Sequence, residues 1–297
     1  MAVFSSSKDY RTASALIAQA VGSAVLPEHV VGKRLVIKLG GRTLTHQRQI
    51  VEECLWLRAM GASPVIVHGG GPAITACLHQ LHIPSHFKHG LRVTDAPTLD
   101  VVRMVLCGQI NPELVALAAQ MSMGEKMVGL NGVDAHLIQA HITDPALGLV
   151  GEIDAVSPEL IALLLTQGYL PILAPLAQGS DGTVLNVNAD LAAAALAKTI
   201  HADTLLFCSD VAGVCRADGS LITDLAECEA RLLLEEGIIR DGMIPKVQAA
   251  LSVIESVPHI QILDGQQEHS LLQVCFHLQT LGTTILPQRA DFSEGIT

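Results

Sequence analysis

"VIVHGGGP", residues 65–72, is an unbroken apolar run that ends on a histidine and three consecutive glycines. A run with no polar alternation reads as a strand covered on both faces, the usual state of a strand in a parallel sheet. Each glycine loses backbone freedom on folding, and the usual compensation is a geometry or a close approach that no side chain would permit. The run therefore predicts a buried strand whose end is approached by something.

Five further runs share this character: "RLVIKLG" (34–40), "EKMVGLNG" (125–132), "YLPILAPL" (169–176), "DTLLFCSDV" (203–211) and "PHIQILDG" (258–265). Helix-like segments separate them, and this alternation predicts an α/β protein, a doubly wound and mainly parallel sheet with helices on both faces. The 297 residues are 49% hydrophobic but only 3% aromatic, which suits such a core of Ala, Val, Leu and Ile. Ligands of these sheets bind beyond the carboxyl ends of the strands, so the residues that end the runs are the first candidates for chemistry. Two stretches read differently. Residues 134–157 predict a hairpin, and "QGSDGTVLNVNAD" (178–190) predicts another around Asp181-Gly182, followed by an Ala-rich helix. There is no internal repeat and no clean linker.

The formal net charge of −11 excludes a nucleic-acid footprint, so any phosphate site is local. Every apolar stretch meets Gly, Pro or a polar residue before it could cross a bilayer, which predicts a cytoplasmic protein with no membrane partner. Seven cysteines stand singly, without metal-ligand spacing, and read as reduced core thiols. The histidines of "LHQLHIPSHFKHG" (78–90) are irregularly spaced and read as a solvated helix-to-loop connection, and no metal site is assigned. The Ser-rich N-terminus, residues 1–30, reads as an extension with an amphipathic helix over about residues 7–25 in preference to an organelle leader.

Three features carry chemistry together. "IKLGG" (37–41) sets Lys38 at the end of the first strand before two glycines. "HGGGP" offers backbone N–H groups at a helix start, where anionic oxygens bind. "NVNAD" (186–190) opens a helix, with "DGMIPK" (241–246) further on. Neither glycine loop fits the P-loop or the dinucleotide-binding fingerprint.

These stretches resemble the amino acid kinase family. "VIKLGG", "VIVHGGGP", "HGLRVTD", "LNVNADLAA", "SDVAGV" and "DGMIPK" follow its order and spacing over roughly residues 30–286, and "GLRVTD" is similar to its acetylglutamate kinase branch. The resemblance implies a three-layer αβα sandwich with an acceptor lobe (31–180), which also dimerises, and an ATP lobe (181–297). It implies transfer of the γ-phosphoryl group of ATP, with nucleotide-bound Mg²⁺, to the side-chain carboxylate of N-acetyl-L-glutamate, a step towards arginine. Lys38, Asp190 and Lys246 match the catalytic positions, the aspartate aiming the two lysines at a transferring group whose charge must be stabilised. Gly41, Gly69 and Gly70 match positions whose amides contact the phosphoryl group and the acceptor. Arg92 and Asn186 match acceptor recognition, since a guanidinium can grip an α-carboxylate with two parallel hydrogen bonds. The bland alternative for Arg92 is a salt bridge with Asp95. Ser209, Asp210, Gly213 and Gly242 fall to the nucleotide. A homodimer or hexamer is also implied.

The chain departs from the pattern at two places. Val133 stands where the family commonly has lysine, which leaves room for another carboxylate acceptor. Val274 stands where an arginine-gripping glutamate is expected, which counts against arginine inhibition. A non-catalytic amino-acid sensor is the alternative from another class.

Overall fold

The structure, a computed structural model, describes residues 14–19, 21, 27–40, 47–88, 90–122 and 124–287. Of the helix expected near the N-terminus, residues 14–19 are helical and form α1, whose Ile17 is fully buried. The first half continues with β1 (Arg34–Leu39), α2 (Gln47–Ala59), β2 (Ser63–His68), α3 (Gly71–Gln80), and the short pair β3 (Phe87–Lys88) and β4 (Leu91–Arg92). One helical run then covers α4 (Ala96–Arg103), a π-helical segment (Met104–Ile110) and α5 (Asn111–Met121) before β5 (Lys126–Asn131). Next come β6 (Ile138–His141), β7 (Glu152–Val156), α6 (Glu159–Thr166), β8 (Tyr169–Ala174), β9 (Leu176–Gln178) and β10 (Val184–Asn186). The remainder is α7 (Ala189–Thr199), β11 (Thr204–Ser209), β12 (Asp224–Ala226), α8 (Glu227–Glu235), α9 (Met243–Ser252), β13 (His259–Asp264), α10 (Ser270–Cys275) and β14 (Thr283–Leu286).

Eight strands form one sheet in the order β12-β14-β13-β11-β1-β2-β8-β5, parallel except where β14 meets β13. All six runs expected to be strands lie in it, and β1 and β2 are central, which is why their sequences carry no solvent-facing alternation. Their alternation instead sorts residues between two cores. Leu35, Ile37 and Leu39 of β1 pack into one core, while Val36 packs into the other. Lys38 shares the Val36 face, and on that face α7 lies against β1, β2 and β11. The first core lies under α2 to α5 and α10, and the second lies under α6 to α9, so the molecule is the expected three-layer αβα sandwich.

Both expected hairpins form, as β6–β7 and β9–β10 in a four-stranded sheet ordered β10-β9-β6-β7. Gly182 closes the β9–β10 turn with φ of 86°, the left-handed region that glycine enters without strain. The 180/181 lobe boundary falls inside this hairpin, since β10 pairs with β9.

Two expectations need correction. The helical run Ala96–Met121 is long and apolar enough to cross a membrane by length and composition. Its Asp100, Arg103 and Glu113 are separated along the sequence, but Val101, Val102, Val105, Leu106, Ile110 and Leu114 are buried in the first core, which accounts for the hydropathy. The cysteines are all free, as expected, yet not all are core thiols: Cys54, Cys208 and Cys275 are buried, while Cys215 and Cys228 are exposed. His79, His82 and His86 are exposed around the end of α3, in keeping with a solvated connection.

Candidate active site

The carboxyl ends of β1, β2 and β11 face the N-termini of α3 and α7 across a cleft of about 1400 Å³. Lys38 reaches it from β1 and is 4% exposed. Asp190 enters at the first turn of α7. That turn is held by Asn188, whose side-chain oxygen accepts from the Asp190 and Leu191 amides at 2.8 and 3.1 Å. Lys246 comes from α9, where its ammonium also donates to the Gly242 carbonyl at 3.1 Å.

These three side chains meet. Lys38 Nζ lies 2.8 Å from Asp190 Oδ1, and Lys246 Nζ lies 3.6 Å from Asp190 Oδ2. One buried carboxylate thus spans two ammonium groups, a charge imbalance that an arriving anion would correct. Burial, and then the repulsion of Lys38, lower the Lys246 pKa from the ordinary lysine value, while Asp190 and Asp210 oppose the shift.

The three glycines of "HGGGP" do different work. The Gly69 amide donates to the Leu39 carbonyl at 3.0 Å and ties the end of β2 to that of β1. This N–H, expected to contact the phosphoryl group or the acceptor, has an acceptor within the protein. A Cβ on Gly70 would lie 2.6 Å from Leu106 Cδ2 and 2.8 Å from Ile110 Cδ1, so the π segment closes on this glycine. At Gly71 a Cβ would meet nothing within 4 Å. The amides of Gly70 and Gly71 have no acceptor among the described residues and stand at the start of α3, where the helix dipole favours negative charge. Gly41 lies outside the described residues, as do the five positions after it.

Arg92 is 7% exposed and gripped on several sides. Its Nη1 donates to Ser85 Oγ, its Nη2 donates to Gly71 O at 3.0 Å and Thr75 Oγ1 at 2.8 Å, and its guanidinium lies 4.7 Å over the Phe87 ring. Among the described residues no carboxylate pairs with it. Asp95 instead caps α4 by accepting from the Thr98 amide at 2.9 Å, so the bland salt-bridge alternative is not formed. Asn186, at the end of β10, donates to Thr94 Oγ1 at 3.1 Å and lines the same cleft.

Ser209, Asp210, Gly213 and Gly242 line the opposite part of the cleft with Arg216 and Arg240. Gly213 sits against Thr283 of β14, whose hydroxyl accepts from the Val214 amide at 2.8 Å. The cleft therefore gathers every predicted site residue that the structure describes. Sequence reading missed Gly71, Thr75, Ser85 and Asn188, which hold the predicted residues in place. Gly71 carried a signal as the last glycine of "HGGGP", and Asn188 as an Asn directly before the Ala-rich helix α7.

An open, mainly parallel sheet with a bridged lysine pair and amide-lined glycine loops at its strand ends defines an α/β kinase. The chain belongs to the amino acid kinase family, whose profile matches residues 33–264. It is 41% identical over 264 residues to the acetylglutamate kinase of Syntrophomonas wolfei, covering 86% of this chain and 91% of that one. It is 40% identical over 275 residues to the acetylglutamate kinase of Aquifex aeolicus, with 86% and 92% covered. A carbamate kinase structure from Giardia lamblia shares the fold with a TM-score of 0.64 at 19% identity, covering 86% of this chain and 99% of that one.

Proposed function

We propose that this chain transfers the γ-phosphoryl group of ATP to the side-chain carboxylate of N-acetyl-L-glutamate, making an acyl phosphate on the route to arginine. The observation that carries the reading is the Lys38–Asp190–Lys246 bridge, at 2.8 and 3.6 Å, in a cleft whose acceptor side holds an arginine with no carboxylate partner among the described residues. The family and its acetylglutamate kinase relatives support the same reaction.

Phosphoryl transfer spreads negative charge over the moving group, so the protein's task is positioning and charge stabilisation. Lys38 and Lys246 supply positive charge from the two sides of the cleft, and Asp190 aims both. The Gly70 and Gly71 amides, with the α3 dipole, face the oxygens of the group in transfer. Arg92 and Asn186 hold the acceptor, and Ser209, Asp210, Gly213 and Gly242 hold the nucleotide. Mg²⁺ bound to the nucleotide would neutralise phosphate oxygens. A hard cation of this kind is held by phosphates, water and one or two carboxylates, and Asp190, Asp210 and Asp241 are the carboxylates lining the cleft. The first half of the chain forms the acceptor lobe and the second the nucleotide lobe, in a cytoplasmic homo-oligomer.

A steady-state assay with MgATP, trapping acyl phosphate as the hydroxamate, tests the reading against N-acetyl-L-glutamate, glutamate, aspartate and N-acetylaspartate. Selective product with N-acetyl-L-glutamate is expected. Folded protein that binds ATP and stays silent with that acceptor would overturn it.

A further inference from the structure

Beneath the "HGGGP" loop lies a polar relay to which the reading above gives no role. His68, the last residue of β2, is fully buried on the face opposite Lys38. Its Nδ1 lies 3.0 Å from the Gly69 carbonyl oxygen, and its Nε2 lies 3.1 Å from the side-chain Nδ2 of Asn111. One of the two Nδ2 hydrogens goes to the Ile172 carbonyl of β8 at 2.8 Å and is shared with the more distant Leu130 carbonyl of β5 at 3.3 Å, which leaves the other for His68. The Asn111 Oδ1 fills the space over Gly129, where any Cβ would collide with it. A single asparagine therefore joins two strands, β5 and β8, to the histidine at the end of β2.

The partners fix the protons. The Asn111 amide can only donate at Nδ2, so His68 Nε2 accepts and carries no hydrogen. The Gly69 carbonyl can only accept, so Nδ1 carries the proton. This neutral tautomer agrees with burial, which pushes the His68 pKa down to about 4. The direction of the peptide follows. In a trans peptide the carbonyl of one residue and the N–H of the next point to opposite sides. With the Gly69 carbonyl turned inward to His68, the Gly70 N–H is turned outward, and Gly70 lines the cleft.

We propose that His68 and Asn111 are positioning residues for phosphoryl transfer, locking the Gly69–Gly70 peptide so that the Gly70 N–H faces the anionic oxygens of the reacting group. The inference rests on the kinase reading above. A histidine that merely fills the core would serve as well with any side chain of its size, whereas this relay needs a donor at one atom.

Two variants separate these roles. His68→Leu removes the donor, while His68→Asn keeps an N–H at the position of Nδ1. Full-length His68→Leu should lose about tenfold or more in kcat with a much smaller change in KM for MgATP, since only the transition-state contact is misaimed. His68→Asn should recover most of that loss. Wild-type kcat in folded His68→Leu, or a His68→Asn variant no better than His68→Leu, overturns the proposal. Should His68→Leu fail to fold, the ¹⁵N shifts of the wild-type ring decide. A protonated Nδ1 and bare Nε2 at neutral pH are expected, and the opposite tautomer overturns the relay. A wild-type protein inactive with N-acetyl-L-glutamate would instead sink the kinase reading and leave the tautomer measurement to judge the relay alone.

Discussion

Lys246 carries the most direct consequence of single-residue chemistry. Its pKa is lowered chiefly by burial and then by Lys38, and the proposed transfer needs its protonated form for charge stabilisation. Raising the pH removes that proton, so kcat should fall on the alkaline side below the ordinary lysine value of 10.5. Asp190→Asn deletes a group that raises this pKa, so the alkaline limb should move to lower pH in a kcat profile, with kcat itself reduced by about 10²-fold or more. Asp190→Ala leaves two ammonium groups without their shared carboxylate and should cost about 3–5 kcal/mol in urea unfolding. His68 is shifted in the same direction by burial: its folded pKa of about 4 lies below the ordinary 6.5, so the unfolded chain takes up the proton first as pH falls. Its share of stability is complete above 6.5 and lost towards 4, up to about 3 kcal/mol. His68→Asn should therefore show a shallower loss of urea midpoint between neutral and acid pH than the wild type. The charged residues of the site were legible because each stands at a strand end or a helix start. His68 and Asn111 were not, because they lie 43 residues apart and their meeting depends on the placement of α5 over the sheet.

At the scale of elements, the six apolar strands announced themselves by lacking alternation. β12 and β14 did not: they are three and four residues long at the sheet edge, too short for a period to show. The π segment was also silent, although its cause lies in the sequence. Pro112 has no amide and cannot continue an α ladder, and the Asn111 amide bonds to the Leu106 carbonyl five residues back. This widened turn carries Leu106 and Ile110 over the glycine loop. The two glycines beside it should consequently respond differently to alanine. Gly70→Ala forces a methyl against Leu106 and Ile110 and should cost about 1–3 kcal/mol. Gly71→Ala meets open space and should leave the melting temperature nearly unchanged while placing a methyl in the cleft. Thermal melts of the two variants check this, with equal destabilisation as the contrary outcome.

At the scale of the whole molecule, the two halves of the chain share one sheet through the β1–β11 pairing, and side chains reinforce the junction. Asp203 accepts from Lys33 at 2.8 Å and from the Arg34 amide at 2.9 Å. Buried Glu53 of α2 accepts from the Leu271 and Leu272 amides at the start of α10, at 3.1 and 3.3 Å. Unfolding should thus be one transition, with the fluorescence of the sole tryptophan, Trp56, and backbone circular dichroism moving together in urea. Two separated transitions would mean that the lobes stand alone. The overall sandwich was legible because the order of strands and helices is a matter of local pattern. The pairing of β10 with β9 around the 180/181 position was legible as well, from the Asp181-Gly182 turn. The cleft itself sets how substrates arrive. Lys38, Arg92, Arg216, Arg240 and Lys246 line it, in a chain whose net charge is −11. A diffusing nucleotide is turned away by most of this surface and drawn in at one mouth, so encounter becomes a matter of long-range field focusing. Added salt weakens that attraction and should slow capture of the anions more than it slows the bound complex.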